Sequence, residues 1–241
     1  MQPDKPPVGR RQIVTQNVTA QPEYEEVALT AADFLNPQPG DEFFHGEQHD
    51  AAVKRLAAIL RGLYRYSSFT AVLTGAKIIW LDPALPQPAP DLAVVARVTE
   101  PQRPRPTFNV SEEGATPRFI LEVTSPHLAE IDRVEKRALY AQAGVQEYFI
   151  LDLVGNGPAL LAYRLEDGVY VPIAPDEQGR LYSAANKAWF MVGANGDVQV
   201  IEARTGAVIE PPENADEPQA AAQVEAAWRA QSIASKLDFL R

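Results

Sequence analysis

Apolar residues recur every three or four positions in several segments of the chain, and this spacing predicts helices. The longest segment, 50–65, carries its apolar face on Val53, Leu56, Ala57, Leu60, Leu63 and Tyr64. A second helix is predicted from Leu128 to Gly144, since glycine commonly follows the last helical turn. A short helix over 30–35 is predicted to begin at a Thr30 cap and to stop at Asn36-Pro37.

Four other apolar stretches have the length and the β-branched content of strands, namely 69–81, 91–98, 119–124 and 146–153. Together with the two longer helices they give the order helix, three strands, helix, strand. This order predicts an α/β fold in which helices flank a mixed sheet.

Beyond Gly155, short apolar runs alternate with turn residues, a pattern typical of β-hairpins. A polar linker over 211–218 precedes a final helix whose apolar residues are spaced four and three apart: Ala226, Ala230, Ile233, Leu237 and Leu240. This seam is about two heptads long, so it suits docking on the parent domain as well as a homodimer through the C-terminal helix. We predict a flexible lead over 1–29, a domain over 30–205 with a β-rich extension from about 156, and the linker and helix over 206–241.

Composition excludes several classes of site. The 241 residues are 46% hydrophobic and 22% charged, as in ordinary globular proteins. Because the chain has no cysteine and only three histidines, disulfides, iron–sulfur clusters, thiolate zinc sites and cysteine nucleophiles are excluded. No segment has the apolar length of a membrane span or of a signal peptide, so we expect a cytoplasmic protein with no membrane partner.

The charge distribution bears on nucleic-acid binding. A net charge of -10 opposes contact with phosphates, but residues 1–50 and 151–241 each carry a net -6, whereas 51–150 carries +2. A polyanion would therefore meet the central segment. The arginines predicted to contact phosphate lie in one loop: Arg97, Arg103, Arg105 and Arg118.

Two carboxylates are candidates for chemistry. Glu122 lies inside the apolar strand Phe-Ile-Leu-Glu-Val-Thr, where an isolated charge would be costly to bury. Asp91 opens the preceding strand, so both side chains could meet at one sheet edge. Such a pair favours a divalent cation with oxygen ligands, Mg²⁺ or Mn²⁺. Further along the chain, Asp132 and Lys136 lie one helical turn apart and, taken alone, indicate a surface ion pair.

Several motifs combine into a familiar pattern. They are Pro90-Asp91, Leu121-Glu122-Val-Thr-Ser125-Pro126, and Asp132-x3-Lys136-x3-Tyr140-x3-Gly144-Val145-x-Glu147-Tyr148. Over roughly residues 30–200 the chain resembles the Uma2 family of the PD-(D/E)xK, restriction-endonuclease-like group.

The resemblance implies a restriction-endonuclease-like core and a metal-dependent nuclease. Asp91 and Glu122 match the metal-binding carboxylates of that family. Thr124 stands where the motif lysine is expected, and Lys136 on the following helix matches the position that supplies the lysine instead. Lys77, inside a predicted strand, is the alternative lysine.

Two further hypotheses concern the motif His45-x-Glu47-x-His49. The three side chains could form a zinc site on one extended face, or Glu47 or His49 could approach the Mg²⁺ site from the first long helix.

The expected function is a Mg²⁺-dependent endonuclease acting on DNA, with weak, salt-dependent binding. Two alternatives stay open: a non-catalytic binding or assembly module that keeps the nuclease fold, and a phosphodiesterase acting on RNA.

Overall fold

The computed structural model describes residues 7–15 and 23–211. In chain order the elements are β1 (Gly9–Thr15), β2 (Glu23–Leu29), α1 (Ala31–Leu35), β3 (Asp41–Phe43), α2 (Glu47–Leu63), β4 (Thr70–Leu73), β5 (Lys77–Ile79), β6 (Leu92–Ala96), β7 (Thr107–Asn109), α3 (Val110–Glu113), β8 (Phe119–Val123), a π-helical turn (Ile131–Lys136), α4 (Arg137–Gln142), β9 (Glu147–Asp152), β10 (Ala159–Glu166), β11 (Val169–Pro172), β12 (Leu181–Ser183), β13 (Ala188–Val192) and β14 (Val198–Glu202).

The core is a six-stranded mixed sheet of order β11-β10-β9-β8-β6-β4. Only the central pair β8–β9 is parallel, because the π-helical turn and α4 form the crossover between these two strands. Both strands are buried along their whole length, as expected for central strands covered on both faces.

Each face of the sheet is covered by a helix, and alternate residues of β8 serve the two cores. Leu121 belongs to the core that contains Leu60 of α2. Ile120 belongs to the opposite core, which contains Tyr140 of α4 and Tyr148 of β9. Glu122 follows the period of Ile120 and therefore points toward the π-helical turn and α4.

Most predicted elements are confirmed. The helices over 30–35 and 50–65 are present as α1 and α2, and the strands over 91–98, 119–124 and 146–153 as β6, β8 and β9. The helix before Gly144 ends as predicted, with that glycine at φ +79°, but its first half is the π-helical turn.

The prediction of one strand over 69–81 was wrong. Gly75, at φ +59°, ends the run, and β5 leaves the main sheet to pair in parallel with β7. β7 and α3 lie in the segment that the sequence indicated to be a loop, because a three-residue strand and a four-residue helix give no periodic signal.

Two strands lie within the segment 1–29 that the sequence indicated to be a flexible lead, at Gly9–Thr15 and Glu23–Leu29. β1 and β2 pair with each other, and β1 also pairs with β3. Charged side chains pair across these strands, as in the contacts of Arg10 with Glu26 and Glu42, so the strands show no apolar alternation.

The predicted β-hairpins are present as β10–β11 and β12–β13–β14. The first extends the main sheet, and the second forms a three-stranded sheet whose Phe190 and Val200 pack into the α2-side core. Most of the linker over 211–218 and the whole predicted final helix, with its possible homodimer seam, lie outside the described residues. The domain limits stay predictions. Within residues 7–15 and 23–211, no helix is long and apolar enough to cross a bilayer.

Candidate active site

Asp91 and Glu122 lie together because of the strand register. Leu92 pairs with Leu121 across β6 and β8, which places the preceding Asp91 beside Glu122. The backbone N–H of Asp91 donates to Glu122 Oε2 at 3.1 Å. The backbone N–H of Val123 donates to Asp91 Oδ2 at 2.8 Å. The two carboxylates therefore sit at one edge of the main sheet.

Lys136 completes the cluster from the π-helical turn. Its Nζ lies 3.0 Å from Glu122 Oε1 and 3.0 Å from Asp132 Oδ1, and the lysine side chain is 1% exposed. The simpler interpretation of Asp132 and Lys136 as a surface pair is therefore wrong. The same i,i+4 spacing occurs in exposed and in buried ion pairs. Here the packing of β8 against the π-helical turn buries the pair.

Tyr140 adds a neutral donor to the same oxygen. Its hydroxyl donates to Glu122 Oε1 at 2.6 Å. Lys136 and Tyr140 are four residues apart and both reach Glu122, so one helical face supplies a cation and a hydroxyl to one carboxylate. The spacing of Tyr140 was visible in the sequence, but its target was not.

Lys77 and Thr124 are held elsewhere. Lys77 lies on β5 and donates to the Pro37 carbonyl at 3.0 Å. Thr124, at the nominal lysine position, is buried and donates to Asp152 Oδ1 at 3.1 Å. Lys136 is thus the lysine that the fold brings to the carboxylates.

The carboxylates differ in their tendency to ionise. Burial raises the pKa of Glu122 to about 8 and that of Asp132 to about 6, although Lys136 opposes both shifts. Burial also acts against ionisation of Asp91, but its bond with His49 and the Lys136 charge lower its pKa to about 2. Burial alone would lower the pKa of Lys136, yet Asp132 and Glu122 raise it above its usual value. At neutral pH the cluster therefore contains at least one carboxylate and one ammonium.

His49 is the member of the His45-x-Glu47-x-His49 motif that reaches the cluster. Its Nε2 lies 3.2 Å from Asp91 Oδ2 and its Nδ1 lies 3.0 Å from Asp50 Oδ1. Burial would lower the pKa of His49, but these carboxylates raise it to about 9. The predicted approach from α2 is thus observed for His49, while Glu47 is exposed.

The geometry does not support the hypothesis that the same motif forms a zinc site. His45 stacks on His49 at a ring distance of 4.1 Å, and burial lowers the pKa of His45 to about 4. In the part of the chain that the structure describes, no three His, Asp or Glu side chains are arranged to hold a metal ion.

Phe34 closes the cluster from outside. Its ring centroid lies 4.0 Å from Lys136 Nζ, and it packs with Leu29, Leu128 and Ile131. α1 and the sheet of β1, β2 and β3 therefore cover the site. Sequence reasoning missed this cover, since nothing in the local pattern of 30–35 indicates a distant lysine.

The predicted phosphate contact of Arg105 is wrong. Arg105 is buried, and its guanidinium donates to Glu113 and to the carbonyls of Thr99, Glu100 and Arg103. Arg103 also bonds to Glu113 at 2.6 Å. These two arginines organise their own loop. Arg97 is exposed, whereas Arg118 donates to the Tyr64 hydroxyl at 2.9 Å.

The chemistry of the donors fits Mg²⁺. Asp91 and Glu122 offer oxygen ligands, and Mg²⁺ commonly takes one or two protein carboxylates together with water and phosphate oxygens. Asp132 is linked to this pair through Lys136, whose Nζ lies 3.0 Å from both Asp132 Oδ1 and Glu122 Oε1.

The main sheet is mixed, and a helical crossover connects β8 to β9. Acidic residues lie at one edge of this sheet and a lysine lies on the crossover. This combination defines a restriction-endonuclease-like fold. The family model described as "Uma2: Putative restriction endonuclease" matches residues 31–187. The chain therefore belongs to the Uma2 family. This assignment confirms the predicted fold class and supports a nuclease, a hydrolase acting on phosphodiester bonds.

Among solved structures, the chain is similar to one described as a "putative nuclease belonging to DUF820 from Anabaena variabilis ATCC 29413". The identity is 12%, the match covers 61% of this chain and 77% of that chain, and the TM-score is 0.46. The comparison with curated proteins gave no match.

Proposed function

We propose that the protein is a Mg²⁺-dependent endonuclease that hydrolyses DNA phosphodiester bonds, with Mn²⁺ as a possible substitute. Asp91 and Glu122 would hold the ion, and Lys136 is the catalytic lysine. The observation that carries the proposal is the contact of the buried Lys136 ammonium with Glu122 at 3.0 Å, beside Asp91. A lysine on an exposed helix face would have no such role.

A bound Mg²⁺ supplies two effects: it lowers the pKa of water and neutralises charge on phosphate oxygens. The protein residues act around it. Asp91 is ionised at neutral pH and offers a permanent negative charge to a cation. The Tyr140 hydroxyl donates to Glu122 Oε1 and the Asp91 N–H donates to Glu122 Oε2, and the two bonds fix the orientation of this carboxyl group. Lys136 would orient the attacking water and stabilise the charge that develops on the phosphate.

A plasmid-nicking assay with Mg²⁺ or Mn²⁺ tests the activity. Glu122→Gln keeps the shape of the side chain and should abolish nicking, and Lys136→Met should lower turnover by about 10²–10³-fold. Lys77→Met is the matched control, since this lysine bonds to a carbonyl away from the cluster; it should nick as the wild type does. Loss of nicking in Lys77→Met but not in Lys136→Met would reassign the lysine. Parallel RNA substrates separate a DNA enzyme from a ribonuclease.

Metal binding is tested separately by thermal unfolding. A ligand that binds only the folded state raises the melting temperature. Mg²⁺ should therefore stabilise the wild type and not Glu122→Gln. An equal shift in both proteins would remove Glu122 from the metal site.

One observation favours the second candidate function, a non-catalytic binding module. Glu122 and Lys136 are each 1% exposed, so the cluster is enclosed in this conformation. Asp91 is the more accessible member, with 16% of its side chain exposed. If purified wild type nicks DNA and RNA no faster than Glu122→Gln with either metal, the binding module is the better description.

A further inference from the structure

We propose that Asp132 is a positioning residue that holds the Lys136 ammonium against Glu122. This role rests on the proposed nuclease function, in which Lys136 acts on the phosphate. Asp132 itself acts through Lys136.

Burial makes Asp132 unusual for a carboxylate. Its side chain is 2% exposed, and its Oδ1 accepts no aligned hydrogen bond from the described residues. Its charged contact is the Lys136 ammonium at 3.0 Å. Such a group is costly to bury, and replacing a buried ion pair by apolar residues is often neutral or stabilising. Stability therefore does not account for Asp132, whereas placement of the ammonium does.

The π-helical turn points Asp132 at the cluster. In a straight α-helix of 3.6 residues per turn, residues eight apart point about 80° away from each other. Asp132 and Tyr140 are eight apart, yet Asp132 contacts Lys136, and both Lys136 and Tyr140 contact Glu122. The wider π-helical turn over Ile131–Lys136 reduces this offset, and such turns are frequent at functional sites.

The backbone of the turn is held in place independently of the carboxylate. The Tyr148 hydroxyl on β9 donates to the main-chain carbonyl of Asp132 at 2.9 Å. A change confined to the Asp132 side chain should therefore leave the turn intact. Because Asp132 contacts one side of the ammonium and Glu122 another, loss of the Asp132 charge frees the lysine to move.

The first test observes the Lys136 ammonium group directly by NMR. The chain has six lysines, and exposed ammonium protons exchange too fast with water to be seen at neutral pH. The 1H–15N spectrum of the wild type should show a protected ammonium signal that disappears in Lys136→Gln and persists in Lys77→Met. In Asp132→Asn this signal should shift and broaden. A wild type without such a signal, or an unchanged signal in Asp132→Asn, would overturn the proposal; if Asp132→Asn does not fold, Asp132→Glu takes its place.

The second test reads the reaction. Asp132→Asn should lower kcat about tenfold or more with KM near wild type, the split expected when transition-state contacts are lost. Asp176→Asn is the matched control, because Asp176 forms an i,i+4 pair with Arg180 on the surface; its kcat and lysine signal should not change. A wild-type kcat in Asp132→Asn would overturn the positioning role. If the wild type cleaves nothing, the proposed function fails, while the ammonium signal still decides whether Asp132 holds Lys136.

Discussion

Replacing Lys136 by methionine tests whether the ion-pair cluster is as buried as its geometry indicates. Lys136→Met keeps the aliphatic length of the side chain and removes the ammonium that contacts Glu122 and Asp132 at 3.0 Å each. Two carboxyl groups, each at most 2% exposed, would then lack their cation.

The expected cost follows from this burial. Removal of one partner from a buried ion pair typically costs about 3–5 kcal/mol, because the other charge stays buried without compensation. Glu122 already favours its neutral form, with a pKa raised to about 8 by burial. Asp132, whose pKa is about 6, is therefore the carboxylate left without its cation. Proton uptake by Asp132 relieves part of the cost, so we expect about 3 kcal/mol at pH 7. An exposed i,i+4 pair would cost about 0.3–0.5 kcal/mol.

Urea unfolding followed by circular dichroism measures this difference. Arg180→Met is the matched control, since Arg180 and Asp176 form an i,i+4 pair that is about one quarter exposed on both sides. We expect the control to lose less than about 1 kcal/mol. An equal loss of unfolding free energy in Lys136→Met and Arg180→Met would refute the reasoning, because Lys136 would then behave as a lysine on an exposed helix face does.

Four other substitutions, one of them a control, test the described contacts. Arg105→Ala should lower the free energy of unfolding by about 3–5 kcal/mol, because it removes the cation from a buried network. Arg103→Ala should lower it by less than about 1 kcal/mol, because Arg103 is half-exposed. A larger loss in Arg103→Ala than in Arg105→Ala, measured by urea unfolding, would contradict this prediction. Glu147→Ala should lower the free energy of unfolding by at least about 3 kcal/mol, because Ser183 and two backbone N–H groups donate to this buried carboxylate. Unchanged amide hydrogen exchange across β12 in this variant would contradict the prediction. Phe34→Leu should speed exchange of the Lys136 ammonium protons, and an unchanged rate would show that the ring does not shield them.

The sequence was most informative where local pattern carries the structure. Glu122 could be recognised as exceptional because the alternation of β8 places it on a buried face. The strand register then brings Asp91 to it, and this could be anticipated from two neighbouring strands. The family motif added Lys136, which spacing alone would have left on the surface.

Features that depend on distant contacts could not be predicted in this way. The contact of Phe34 with Lys136 joins residues about a hundred positions apart, and no periodicity links them. β1 and β2 are held partly by charged pairs such as Arg10–Glu26, so their composition resembles that of a loop. Arg105 was misassigned because a basic residue in a Pro-rich segment looks solvated unless Glu113 is known to face it.

Enclosure of the ammonium has a kinetic consequence. Phe34 of α1 lies 4.0 Å from Lys136 Nζ and the lysine is 1% exposed, so a phosphate could contact this group only after the cover that includes Phe34 moves. The rate of any cleavage is then multiplied by the fraction of molecules in which α1 is displaced. Each additional 1.4 kcal/mol or so that holds α1 in place lowers that fraction, and hence turnover, about tenfold. Substitutions in the apolar cluster of Val8, Leu29 and Phe34 would therefore change the turnover of the proposed nuclease.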